Sequence, residues 1–306
     1  MKIALASSAS VGIPVLTSLL SSHHEVLYTI SNPDKAYGRG QNKLPNDFAK
    51  YVGQIGLPVH SPVNSQELLV LLRADPVELV LTVAYGQLIK DEALVAPHYG
   101  WLNIHFSQLP KFRGAAPVQY AIMTQQTQTG VTVFQLDAGM DTGPIYQTWS
   151  SAIAASDTTQ TLLRKLSEES ALRIVEILDS IKNGAKPTAQ SEIGVSTAPK
   201  IPKFMGKLSI HDDRMDLSSK VRALGENPGT FLSFRGERLG INEVEVSYAN
   251  DAGAKPGELI ANKAELFLKV TDGLIRLVKV VPQGKKMMSG ADFARGARIA
   301  PGECCE

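Results

Sequence analysis

The 306-residue sequence predicts a doubly wound α/β domain with a Rossmann-like, mostly parallel sheet, followed by a small OB-like β-barrel. Three observations carry that prediction. Short apolar strands alternate with helical stretches through the first half. A long amphipathic helix and an aperiodic Pro/Ser/Thr/Gly stretch then end the alternation. Short β-type segments separated by turn residues fill the remainder.

The strands come first. Lys2–Ala6, Glu25–Ile30, Val77–Val83 and Trp101–His105 are apolar runs, with Leu57–Val59 as a weaker one. Leu79 to Val83 is almost continuously apolar, as expected of a parallel strand covered on both faces. Helical segments are expected between them at Val11–Leu20, Asp47–Gly53 and Glu67–Leu72. Thr158 to Ile181 reads as one amphipathic helix, since Leu162, Leu166, Ile174, Ile177, Leu178 and Ile181 fall on helical spacing. Asn183-Gly184-Ala185-Lys186-Pro187 stops it. These features divide the chain into a domain over 1–185, a linker over 186–205 and a second domain over 206–306.

The second domain reads as short strands at Thr230–Phe234, Leu239–Val246, Glu258–Ile260, Leu266–Val270 and Leu274–Val281. Helices are expected near Ser218–Leu224 and after Ser289, where Ser289 and Asp292 make a capping-box-like pair.

Composition narrows the function classes. With 43% hydrophobic and 20% charged residues, a chain of this length buries a core without disulfide or metal staples. The two cysteines, Cys304 and Cys305, are adjacent at the end and staple nothing, which fits a reducing, cytoplasmic location. The apolar start Ile3–Ala6 breaks at once in Ser7-Ser8-Ala9-Ser10, so a first strand is expected rather than a signal peptide. No stretch approaches the roughly 20 apolar residues of a membrane span. The formal net charge of +1 argues for no particular partner. Its distribution is mildly uneven: residues 1–199 carry 14 basic and 16 acidic side chains, residues 200–306 carry 17 and 14. A slightly basic second domain hints at a polyanion.

The densest polar signal lies between Trp101 and Gly143. Asn103 and His105, two residues apart on a strand, share one face. A helix is expected after the turn Arg113–Pro117, then a strand at Gly130–Leu136 leading into the loop Asp137–Gly143 with Asp141. Polar residues at the C-terminal end of a strand in an open α/β sheet are where ligands bind. An amide, an imidazole and a carboxylate suit acyl transfer, through oxyanion donation, proton movement and charge orientation. Spacing alone suits equally well a capped strand end and an ordinary turn.

Other chemistries lack their motifs. Ser7–Gly12 stands where a Gly-x-Gly-x-x-Gly would follow the first strand, and there is no Walker phosphate loop. His105 has no second His or Cys at ligand spacing, so no metal is expected at this site. Ser107 lacks a Gly-x-Ser-x-Gly elbow.

The run from Asn103 through Gly143 resembles the catalytic region of the folate-dependent formyltransferases, with its Asn-x-His strand, Ser-Leu-Leu-Pro-type loop and later Asp. The resemblance implies that Asn103, His105 and Asp141 are catalytic. It also implies that Ser107, Gln108, Leu109 and Pro110, with Ala84, Tyr85 and Gly86, line the folate pocket. Asn32–Gly40, continued by Lys43-Leu44-Pro45, is similar to the basic insertion loop with which members acting on methionyl-tRNA meet the acceptor arm. Arg39 matches its key arginine, with Lys35 and Lys43 beside it. Gln283–Gly290 and Phe293–Gly296 resemble the same members.

Implied together are 10-formyltetrahydrofolate as donor, initiator methionyl-tRNA as acceptor, N-formylmethionyl-tRNA as product, a tRNA-binding second domain, no metal, no membrane and a monomer. Rival readings are an amino-sugar formyltransferase, a hydrolase of the formyl donor, and a non-catalytic tRNA-binding protein. Three positions depart from the family pattern: Ser7–Ser10 replaces a Gly-Thr-Pro-type turn, Gln108 replaces a Leu, and Asn227–Thr230 lacks an aromatic residue.

Overall fold

A computed structural model describes residues 1–37, 42–249 and 253–306, and only the backbone of residues 35–37, 42, 43 and 91. The chain forms two compact units. The first comprises Met1–Pro117, Gln128–Ala152 and Gln160–Pro199; the second comprises Val118–Thr127, Ile153–Thr159 and Lys200–Glu306. The units therefore interleave along the sequence instead of meeting at one boundary.

The first unit begins with β1 (Lys2–Ser7), α1 (Ile13–Leu20), β2 (Glu25–Ile30), β3 (Lys35–Tyr37), β4 (Asn42–Leu44), α2 (Asp47–Gln54) and β5 (Val59–His60). It continues with α3 (Ser65–Ala74), β6 (Leu79–Val83), α4 (Asp91–Leu94) and β7 (Trp101–His105). After α5 (Pro117–Met123), which belongs to the second unit from Val118 on, the first unit resumes with β8 (Gln128–Gln135), β9 (Ile145–Ala152), α6 (Thr159–Ala171) and α7 (Ile174–Lys182). The seven-stranded sheet has the order β5-β2-β1-β6-β7-β8-β9. Its first five strands are parallel, β8 runs antiparallel to β7, and β9 runs antiparallel to β8. Because β1 leads to β2 on one side and β6 pairs on the other, the strand order reverses at β1 and β6. A crevice for ligands opens outside the carboxyl ends of the strands at such a point.

Local chemistry accounts for the elements. All five side chains of β6 are buried, as its apolar run requires. Asn46 and Asn64 cap α2 and α3 by accepting hydrogen bonds from Ala49 N–H, and from Gln66 and Glu67 N–H. The expected single helix over Thr158–Ile181 is two. The break at Leu172 and Arg173 leaves the Glu169 carbonyl without its helical partner, and the Arg173 guanidinium donates to it at 2.9 Å. β9 went unrecognised because its edge position leaves a mixed Ser/Thr/Gln pattern with little buried.

The expected linker over 186–205 also differs. Thr188 exchanges backbone hydrogen bonds with Ile145, and Ser196 and Ala198 do so with residues 110–116. These contacts are backbone-to-backbone, so no side-chain period announces them.

The second unit contains α8 (Arg214–Leu224), β10 (Phe231–Phe234), β11 (Glu237–Ser247), β12 (Leu259–Ala261), β13 (Leu266–Val270), β14 (Gly273–Pro282), β15 (Met288–Ser289) and α9 (Gly290–Ala297). Its antiparallel sheet has the order β10-β11-β14-β13-β12, with β15 on β14. Leu217, Val221, Leu232, Ile241, Leu268 and Ile275 are among its core side chains. Asp213 caps α8, and Ser289 caps α9 by accepting from Asp292 N–H. Among the described residues no helix is long and apolar enough to cross a membrane.

Candidate active site

β7 is hydrogen-bonded between β6 and β8, placing Asn103 opposite Thr82 on one side and Phe134 on the other. Asn103 and His105 point to the same face. The Thr82 hydroxyl, the one polar group on an otherwise apolar strand, donates to Asn103 Oδ1 at 2.7 Å. With the carboxamide oxygen held in this way, the NH2 is the end left to donate. Thr82 was missed by the sequence reading, although a lone hydroxyl in Leu-Val-Leu-Thr-Val was its signal.

His105 is 5% exposed. Its Nε2 lies 3.0 Å from the Phe112 carbonyl, an acceptor, so Nε2 carries the proton of the neutral ring. Nδ1 then presents its lone pair 3.7 Å from Asp141 Oδ2. Burial pushes the imidazole pKa below its ordinary value, while Asp141 and then the Phe112 carbonyl act in the opposite direction. The ring is therefore a buried, neutral base beside a carboxylate that stabilises it once protonated.

Asp141 reaches this position through local backbone geometry. Its φ is +53°, and its Oδ2 accepts the Gly114 N–H at 2.7 Å. Gly114 has φ +123°, and a Cβ there would stand 2.6 Å from the Ala198 carbonyl oxygen, so only glycine lets the chain pass. Residues from the expected linker complete the support. Arg113 Nε and Nη2 donate to Gln190 Oε1 at 3.2 and 2.6 Å. Gln190 Nε2 in turn donates to the carbonyls of Asp141 and Gly143, both at 2.8 Å. Ser196 Oγ accepts the Phe112 N–H at 2.9 Å. One carboxamide thus ties the segment after β7 to the Asp141 loop. Neither Gln190 nor Ser196 had a signal in the sequence, because each acts across a long separation from an aperiodic stretch.

The other expected residues surround this centre unevenly. Ser107 Oγ donates to the Lys111 carbonyl at 2.6 Å, and Thr132 Oγ1 joins the Ser107 carbonyl to the Leu109 N–H. These bonds shape the Ser107–Pro110 turn, whose Leu109–Pro110 bond is cis. The Gln108 side chain leaves the turn and donates to Ser150 Oγ on β9 at 3.0 Å. Ala84 and Gly86 both have positive φ, +51° and +73°, in the loop that leaves β6. The Tyr85 ring is buried there, and burial pushes its hydroxyl pKa up to about 12. Lys35 and Lys43 stand on the two-stranded β3–β4 ladder, while Arg39 lies outside the described residues.

Fold and site together define an α/β group-transfer domain whose amide, imidazole and carboxylate converge at the carboxyl end of a central strand. The chain belongs to the formyl transferase family: residues 1–178 match the formyl transferase domain and residues 200–298 match the formyl transferase C-terminal domain. It is 38% identical to the methionyl-tRNA formyltransferase of Thermobifida fusca, over 99% of this chain and 98% of that one. The corresponding protein of Salinispora arenicola is 36% identical, with 99% of each chain covered. The fold is also that of the methionyl-tRNA formyltransferase of Clostridium thermocellum, with a TM-score of 0.62, 15% identity, and 95% of this chain and 100% of that one covered.

Proposed function

We propose that the chain transfers the formyl group of 10-formyltetrahydrofolate to the free α-amino group of initiator methionyl-tRNA, giving N-formylmethionyl-tRNA and tetrahydrofolate. Its near-full-length likeness to proteins named for that reaction supports the substrates. The observation that carries the chemistry is the convergence of Asn103, His105 and Asp141 on one strand end, each held by its own backbone or side-chain partner.

The neutral amine attacks the formyl carbon, forming the new C–N bond and a tetrahedral oxyanion. The Asn103 NH2 donates to that oxyanion. A donor of this kind is worth roughly 3–4 kcal/mol of barrier in other acyl-transfer sites. His105 Nδ1 takes the proton released by the amine, and Asp141 stabilises the imidazolium. The bond from the formyl carbon to N10 then breaks as N10 takes a proton.

Ser107, Gln108, Leu109 and Pro110, with Ala84, Tyr85 and Gly86, wall the folate pocket. Arg39, Lys35 and Lys43 meet acceptor-stem phosphates, which position the substrate without reading bases. Residues 206–306 form the tRNA-binding domain, and the protein works as a cytoplasmic monomer.

The test offers purified enzyme and 10-formyltetrahydrofolate either charged initiator tRNA, a nucleotide-linked amino sugar, or no acceptor. Formyl transfer should appear with the charged tRNA alone. Preferential transfer to the sugar, or donor hydrolysis at the same rate without acceptor, would refute the proposal.

A further inference from the structure

The Phe112 carbonyl, which takes the His105 Nε2 proton, is aimed from a residue 84 positions further along the chain. Phe112 sits at φ +59°, in the left-handed region that a bulky side chain rarely adopts. The peptide before it is gripped at both ends. Ser107 Oγ donates to the Lys111 carbonyl at 2.6 Å, and the Phe112 N–H donates to Ser196 Oγ at 2.9 Å. The peptide after it is held as well, because the Arg113 N–H donates to the Ser196 carbonyl at 2.9 Å. The Ser196 N–H completes the clamp by donating to the Pro110 carbonyl at 3.2 Å. All of these residues belong to the first unit. An unusual φ persists only where its surroundings over-determine it, and such residues gather at functional sites. We infer that Ser196 is a positioning residue of the formyl-transfer centre: through the Phe112 backbone it fixes the proton of the neutral His105 ring on Nε2 and keeps Nδ1 free to accept the proton of the attacking amine. This role rests on the formyl-transfer reading above.

The tautomer matters because only one ring nitrogen can serve as the base. With a proton on Nδ1 instead, the Nε2 lone pair would face the Phe112 carbonyl oxygen at 3.0 Å, and the Nδ1 proton would turn toward Asp141 Oδ2, 3.7 Å away. That ring could not take a proton from the amine. Asp141, an acceptor, favours the unproductive form, and the Phe112 carbonyl opposes it. The outcome depends on where that carbonyl points. The Phe112 carbonyl and the Arg113 N–H lie in one planar trans peptide and point opposite ways, so the bond to the Ser196 carbonyl on one side aims the oxygen at His105 on the other. Ser196 Oγ supplies the remaining constraint by fixing the N–H that sets φ of Phe112. Removing the hydroxyl alone leaves the main-chain bonds of Ser196 in place and frees that peptide.

The test follows the His105 ring with neither donor nor acceptor present. The full chain, labelled with 15N in its histidines, is studied by NMR at alkaline pH, where the imidazoles are neutral. Ring 15N shifts separate a protonated from an unprotonated nitrogen, and the signals missing from His105→Gln are those of His105. Wild type should carry the proton on Nε2. In Ser196→Ala the form protonated on Nδ1 should appear, and kcat for formylation should fall roughly two- to twelvefold, the worth of one hydrogen bond, with KM for donor and tRNA nearly unchanged. Ser196→Thr, which keeps the hydroxyl, should restore both. Should Ser196→Ala fail to fold, Ser196→Cys, whose sulfur is a weak acceptor in the same place, is read in the same way. Ring signals unchanged in Ser196→Ala, or changed equally in Ser196→Thr, overturn the inference. A wild type that formylates no charged tRNA, with the tautomer still shifted in Ser196→Ala, overturns the functional reading and leaves the lock on His105 standing.

Discussion

Gln190→Ala removes a carboxamide that joins two arms of the site. The substitution deletes both donations to the Asp141 and Gly143 carbonyls and both contacts from Arg113. A hydrogen bond of this kind contributes about 0.5–1.5 kcal/mol net, so the two loop contacts together hold Asp141 by about 1–3 kcal/mol. If about half of that order is needed in the transition state, the barrier rises by about 0.5–1.5 kcal/mol, a roughly two- to twelvefold loss of kcat. Gln190 touches the Asp141 loop and not the proposed substrates, so KM for donor and tRNA should change little. Gln190→Glu is the informative companion. It restores an acceptor for Arg113 but turns carboxylate oxygen toward two carbonyl oxygens, so it should recover none of the loss. Steady-state formylation kinetics, with melting curves to exclude unfolding, make the measurement. Wild-type kcat in Gln190→Ala, or full recovery in Gln190→Glu, would refute the assignment of Gln190 as a positioning residue.

Further expectations concern charge. Burial lowers the His105 pKa and Asp141 opposes that shift, so Asp141→Asn should move the His105 titration, followed by NMR of its ring protons, to still lower pH. Movement upward would contradict the pairing. Arg39→Ala should raise KM for charged tRNA, and the defect should shrink with added salt, since salt weakens the wild-type phosphate contacts as well. An identical KM in the variant at every salt concentration would remove Arg39 from the tRNA-contacting residues.

The sequence reading reached the elements whose burial shapes their composition. β2 and β7 have the expected bounds because most of their side chains are buried or half-buried, which keeps both runs rich in apolar residues. The pairing of Asn103 and His105 on one face followed from the two-residue period of a strand. Asp141 was placed in the right loop, but its approach to His105 depends on a positive φ, on Gly114, and on Gln190 some fifty positions later. Such contacts are set by tertiary packing and leave no periodic trace. The stretch 188–198 was legible only as aperiodic, since its docking uses mainly backbone groups. Gln108 departs from the family pattern, and its bond to Ser150 accounts for where its side chain goes.

The central claim is that the Asn103 carboxamide donates to the oxyanion of formyl transfer. Single-turnover formylation of charged initiator tRNA by Asn103→Ala, with both substrates saturating, tests it most directly. The account predicts a fall of about 10²–10³ in the transfer rate with donor affinity nearly unchanged. A rate within a few fold of wild type would contradict it.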